Sequence, residues 1–198
     1  MYSRLETIRV KLEHLIQCDE AQSVFGAGGD FGHHYVRKAV LDETAVRCLE
    51  DSFGVRLPEE LRVFLMTVHG GGAGPGYGFF VNGDNPRLAR RARKFPFDTD
   101  TARDVIASRL AGGTTPWQTV EAPDTDDEDD DDWPPGSGFI PIAHQGCGLF
   151  DVLVVAGEQR GRVWWCDMSW GPWYDKTGQQ MGFLDWYELW LDSSLRSF

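Results

Sequence analysis

The chain has 198 residues, 41% hydrophobic and 13% aromatic with eight Trp, an apolar stock that builds the core of one domain and excludes wholesale disorder. Its 31 acidic and 19 basic residues leave a formal net charge of −12. That balance excludes a general nucleic-acid binder, which needs basic surface to displace counterions from phosphates.

In chain order, Leu5, Ile8, Leu12, Leu15 and Ile16 recur at helical spacing and predict an amphipathic helix over Tyr2 to Cys18. Residues 26–34 (GAGGDFGHH) read as a glycine loop. Asp42 is a good N-cap for a second helix that carries Ala45, Val46 and Leu49 and ends near Gly54. Leu57-Pro58-Glu59-Glu60 opens a third, because proline suits a first turn and acids suit the positive end of the helix dipole. Its buried face is Leu61, Phe64, Leu65 and Val68, and Gly70-Gly71-Gly72 stops it. Tyr77 to Val81 predicts a short strand, residues 85–97 a polar, arginine-rich segment, and residues 100–111 a further helix.

Residues 112–138 predict a long mobile insertion. Within them, residues 121–132 (EAPDTDDEDDDD) hold nine acids and no base, so the rest of the chain carries only −3. Like charges at this density repel and resist packing. Three strand-like runs follow, Phe139 to Ala143, Leu149 to Ala156 and Arg162 to Asp167, separated by glycine turns. Residues 169–182 read as a Trp- and Gly-rich loop, and Phe183 to Leu191 as a closing amphipathic helix. The order of helices, meander and helix predicts one α+β domain over 1–198, with a single mostly antiparallel sheet and helices packed on one face. Residues 1–39 form its N-terminal helix and glycine loop.

No apolar run approaches the ~18 residues that span a bilayer. The first residues, MYSRLETIRVKLEHLI, are charged throughout and lack the apolar core of a secretory signal. Cys18, Cys48, Cys147 and Cys166 match neither zinc-site nor disulfide-framework spacing. A reduced, cytoplasmic protein without membrane contact is the expectation.

Candidate chemistry is sparse. His144 and Cys147 are the germ of a thiol nucleophile, but QGCG reads as a tight turn with Cys147 as a small buried hydrophobe. His33 and His34 point apart on an extended chain and suit a solvated turn better than a metal. The run GGGAGPGYG at 70–78 follows a helix and lacks the lysine of a phosphate loop. Asp124 to Asp132 fails as a calcium loop, with no glycine at the sixth position and Pro135 at the twelfth. No catalytic residue, metal or cofactor is expected, and the chain reads as a non-enzyme.

Among the tryptophans, Trp186 and Trp190 stand four apart on the closing helix, and Trp164 and Trp165 face opposite sides of a strand. Trp170, Trp173 and Tyr174 on a loop are candidate partner anchors, or else a lid on the sheet. Asp126, Asp127, Glu128, Asp129 and Asp130 are either a partner-facing loop or a solvated linker.

The pieces, in order, resemble the SUKH superfamily, which includes yeast cell-wall-synthesis regulators and many bacterial immunity proteins. The residues that carry the likeness are Leu57-Pro58-Glu59-Glu60-Leu61 with Phe64-Leu65, then the glycine stretch with Tyr77-Gly78. Phe139-Ile140-Pro141-Ile142-Ala143, Leu153-Val154-Val155, Gly161-Arg162-Val163-Trp164 and the close Phe183 to Leu191 complete it. The resemblance covers most of 40–195 but not the acidic insertion. It implies a non-enzymatic immunity protein that binds a cognate protein toxin, with no direct contact to nucleic acid. A basic nuclease is the toxin that the acidic tract would complement. A regulator or scaffold of the yeast type, and a thiol enzyme built on Cys147 and His144, are the competing readings.

No apolar residue lies within 124–132, and loop closure entropy depends only weakly on length. Replacing these residues with a short Gly/Ser linker is therefore expected to leave the cooperative thermal transition within a few degrees. Loss of cooperative unfolding in calorimetry would make the tract structural.

Overall fold

The computed structural model describes residues 1–81, 93–112, 120–121, 137–167 and 169–198. Five helices and one sheet form there: α1 (Tyr2–Cys18), α2 (Glu43–Phe53), α3 (Glu59–Thr67), α4 (Thr99–Leu110), β1 (Val120–Glu121), β2 (Phe139–Gly146), β3 (Leu149–Val154), β4 (Val163–Cys166), β5 (Ser169–Pro172) and α5 (Phe183–Leu195). The sheet is antiparallel throughout, in the order β1-β5-β4-β3-β2. The fold class is the α+β arrangement expected.

Local chemistry sets the element ends. The Asp42 carboxylate accepts the Ala45 N–H at 2.8 Å, and Gly54 closes α2 in the left-handed region at φ 66°. Asp98 caps α4 the same way through Thr101 N–H at 2.8 Å. The carboxylate of Glu60, in the first turn of α3, accepts the Leu184 N–H at 3.1 Å, so one helix supplies an acceptor to the first turn of another.

Strand alternation divides the core in two. On one face Ile140, Ile142, Leu153 and Val163 meet Leu5, Ile8, Leu12 and Leu15 of α1, Val46 and Phe53 of α2, Leu61, Phe64 and Leu65 of α3, and Phe183, Trp186, Tyr187 and Leu191 of α5. This is the helical face predicted from the sequence, although the helices are not confined to it, because α4 packs on the opposite side. On the other, Phe139, Val152, Val154, Trp164, Cys166 and Trp170 are covered by Phe95, Phe97 and Ala102, the last from α4. Phe97 stacks on Trp164 with centroids 5.2 Å apart. Gly171 sits beside the Trp165 ring, where an added Cβ would come within 2.5 Å. Among the described residues, no helix is long and apolar enough to cross a membrane.

Three expectations change. Ser169–Pro172 is a strand rather than part of a loop, because it completes the β4 ladder through Trp164↔Pro172 and Cys166↔Trp170. Within the insertion, Val120 and Glu121 return to the sheet as its edge strand, opposite Trp170 and Ser169, while the tract that follows lies outside the described residues. Around Tyr77 to Val81 only Phe79 bridges, to Gly72 and Ala143.

A buried polar chain pins α5. Gly71 N–H donates to His69 Nδ1 at 3.1 Å, so the ring proton sits on Nε2 and donates to the Tyr187 hydroxyl at 2.9 Å. The hydroxyl in turn donates to the Ala73 carbonyl at 2.9 Å. Burial lowers His69 to about 4, so the imidazole is neutral at pH 7. Tyr187→Phe keeps the ring against Phe64, 4.7 Å away, but leaves two buried groups unmatched. It is expected to cost ~1–3 kcal/mol in urea unfolding, and an unchanged midpoint would mean that the chain of bonds contributes nothing net.

Candidate functional site

Asp151 interrupts the apolar run of β3 and is 0% exposed. Its carboxylate accepts hydrogen bonds from Trp173 Nε1 at 2.7 Å, Gln145 Nε2 at 2.5 Å and Trp186 Nε1 at 3.2 Å. The donors come from β2, from the residue after β5 and from α5. All three are neutral, and none of the ion pairs among the described residues involves Asp151. Burial pushes the carboxyl up to about 6 against the opposing effect of the three donors.

Above this carboxylate lies a cleft of about 480 Å³. Trp173, Trp186 and Trp190 wall it together with Phe25, Pro75 and Leu189, and Ser193, Ser194 and Ser197 add hydroxyls. Among the described residues, Asp151 is the one charged residue of the lining. Trp190 buries its indole N–H with no hydrogen-bond partner among the described residues.

The wall contributed by residues 19–36 is held by a second buried acid. Asp19 accepts from Ser23 N–H and Oγ at 2.7 Å, Val24 N–H at 3.0 Å and the Tyr35 hydroxyl at 2.7 Å. Burial pushes its carboxyl up, but these bonds prevail and hold it below the ordinary range. The loop then crosses the glycine stretch so closely that a Cβ on Gly26, at φ 77°, would lie 1.8 Å from the Gly76 carbonyl oxygen. Phe25 is thereby fixed at the cleft, 60% exposed and 5.5 Å from the Tyr77 ring.

The residues singled out from sequence separate. Trp173 lies in the cleft. Tyr174 is half-buried beside it, bridged to Gln180 at the base of a hairpin and outside the cleft lining. Trp170 is corrected: it is fully buried, packed on Phe139 at 5.1 Å, because its pairing with Cys166 turns it toward the second core. It offers no surface to a partner. Asp126, Asp127, Glu128, Asp129 and Asp130 lie outside the described residues.

Of the histidines, His144 packs between Phe150 and Tyr77, and Cys147 sits exposed on the turn at φ 50°, so it is not the buried hydrophobe expected. His33 is buried, not solvated. Its Nδ1 accepts the Tyr35 N–H at 3.0 Å, and burial lowers it to about 4. Among the described residues no group of three or more His, Cys, Asp or Glu could hold a metal ion.

A family model, the SMI1 / KNR4 family (SUKH-1), matches residues 41–189. The match covers well over half of the chain, which belongs to this family. It contains Gln145, Asp151, Trp173 and Trp186, but not Phe25 or Trp190. Neither a curated protein nor a solved structure gives a significant match.

The folded Asp151 carboxyl takes its proton at about 6, whereas the unfolded one does so near ~3.9. Between those values the folded state binds more protons, so this group's contribution to stability falls as pH rises, by up to ~3 kcal/mol. Urea unfolding at about pH 4 and about pH 7 should therefore favour the parent over Asp151→Asn by ~2–3 kcal/mol more at the acid end. An equal difference at both values would mean that the carboxyl is unperturbed.

Proposed function

We propose that this SUKH-family chain is a non-enzymatic immunity protein that binds and neutralises a cognate toxin in the cytoplasm, the toxin being a basic nuclease. Family membership supports the class, since immunity proteins are common in it. What carries the nuclease reading is the placement of charge, with nine acids in residues 121–132 against −3 for the remainder. A tract of that density complements the basic groove by which a nuclease holds nucleic acid, and it speeds capture.

The tract and the cleft divide the work. Asp126, Asp127, Glu128, Asp129 and Asp130 steer the toxin, and Trp173 with the neighbouring Tyr174 anchors it at short range. The yeast-type regulator that docks several partners is the alternative, and an adjacent open reading frame with a toxin domain separates the two.

The test is surface-immobilised binding to the product of that reading frame at two salt concentrations. Replacing the five acids with Asn and Gln is expected to slow association about tenfold at low salt and flatten its salt dependence. Dissociation should change little. Unchanged association would leave the tract a solvated linker and remove the charge argument for a nuclease.

A further inference from the structure

The Asp151 cleft combines features that a closed core does not need. Among the described residues, a buried carboxylate without a cation beside it is held only by neutral donors. The walls are indoles, whose π faces attract cations more strongly than those of other side chains. Around them stand oxygen acceptors: the hydroxyls of Ser193, Ser194 and Ser197, and the carbonyl oxygen of Gln145, whose amide N–H is committed to Asp151.

We propose that this cleft seats an arginine side chain carried by a segment of the partner protein, with the guanidinium against Trp173 and Trp190 above Asp151. The inference rests on the protein-binding reading above and names what the bound protein presents.

Arginine fits better than lysine on three counts. Its planar group lies flat on an indole, it is more weakly hydrated and so enters a cleft at lower cost, and its five N–H donors match several oxygens at once. A volume of about 480 Å³ also exceeds one side chain, so the neighbours of the arginine enter with it. Exposed Phe25 offers them an apolar contact, and a peptide brings backbone carbonyls, the acceptor type that the Trp190 N–H lacks. An acidic or uncharged occupant would leave Asp151 as an uncompensated buried charge.

The probe is N-acetyl-arginine amide, with N-acetyl-citrulline amide as its uncharged isostere, titrated into the full chain and followed by the indole N–H resonances. The Trp173, Trp186 and Trp190 signals are expected to shift saturably with the arginine compound, with a dissociation constant on the order of 1 mM, as one side chain can supply. The citrulline compound should bind at least tenfold more weakly. Trp164 and Trp170, on the opposite face, should stay still and report any loose attraction to an acidic chain.

Asp151→Asn should weaken the arginine response at least tenfold where the variant folds. The citrulline comparison decides the question on the parent protein where it does not. Equal responses to the two compounds, shifts spread over all indoles, or full binding by a folded Asp151→Asn would overturn the inference. Arginine binding that fails while the toxin still binds removes only this proposal. Toxin binding that fails while arginine still binds removes the immunity reading and leaves the cleft with another basic partner.

Discussion

The carboxylate of Asp151 ties together the parts of the molecule that line the cleft. Stripping water from a carboxylate without giving it hydrogen bonds is prohibitively costly, so a buried acid dictates where its donors stand. Here the donors come from β2, from the chain leaving β5 and from the first turn of α5. Each of these elements is also held by apolar contacts, which supply most of the stabilisation but tolerate sliding and rotation. The polar hub removes that freedom. The next residue of α5, Tyr187, is fixed by its own bonds to His69 and Ala73. Two adjacent side chains therefore set the rotation of the closing helix, and Leu189 and Trp190 follow into the cleft wall.

Local signals in the sequence translate well into this structure. Asp42 and Gly54 bound a helix because an N-cap acceptor and a left-handed glycine act within a few residues of themselves. The runs 139–143, 149–156 and 162–167 become neighbouring strands because their separating turns are short. Trp170 shows where such reading stops. Gly171 and Pro172 look like loop chemistry, and only pairing with β4 makes the segment a strand and sends the indole into the core. Asp151 left a trace, an acid inside an apolar strand. Its donors, however, lie 6, 22 and 35 residues away in the chain, and no periodicity links positions at such separations.

The cleft draws its lining from separate parts of the chain. Its floor, Gln145, Asp151, Trp173 and Trp186, lies inside the stretch that matches the family. Phe25 lies outside it, on a loop tied by Asp19, while Trp190 follows one residue after its end, on the same helix as Trp186.

At Asp151 stability is set against the binding role proposed for the cleft. An apolar side chain of similar size on β3 would join the surrounding core, and replacing buried charges in this way is often neutral or stabilising. The carboxylate instead carries a burden of up to ~3 kcal/mol above pH ~6, since the folded state raises its proton affinity. An arginine seated in the cleft as proposed would lower that burden by giving the carboxylate a charged partner. Part of the affinity of the proposed contact would then come from the fold rather than from new contacts.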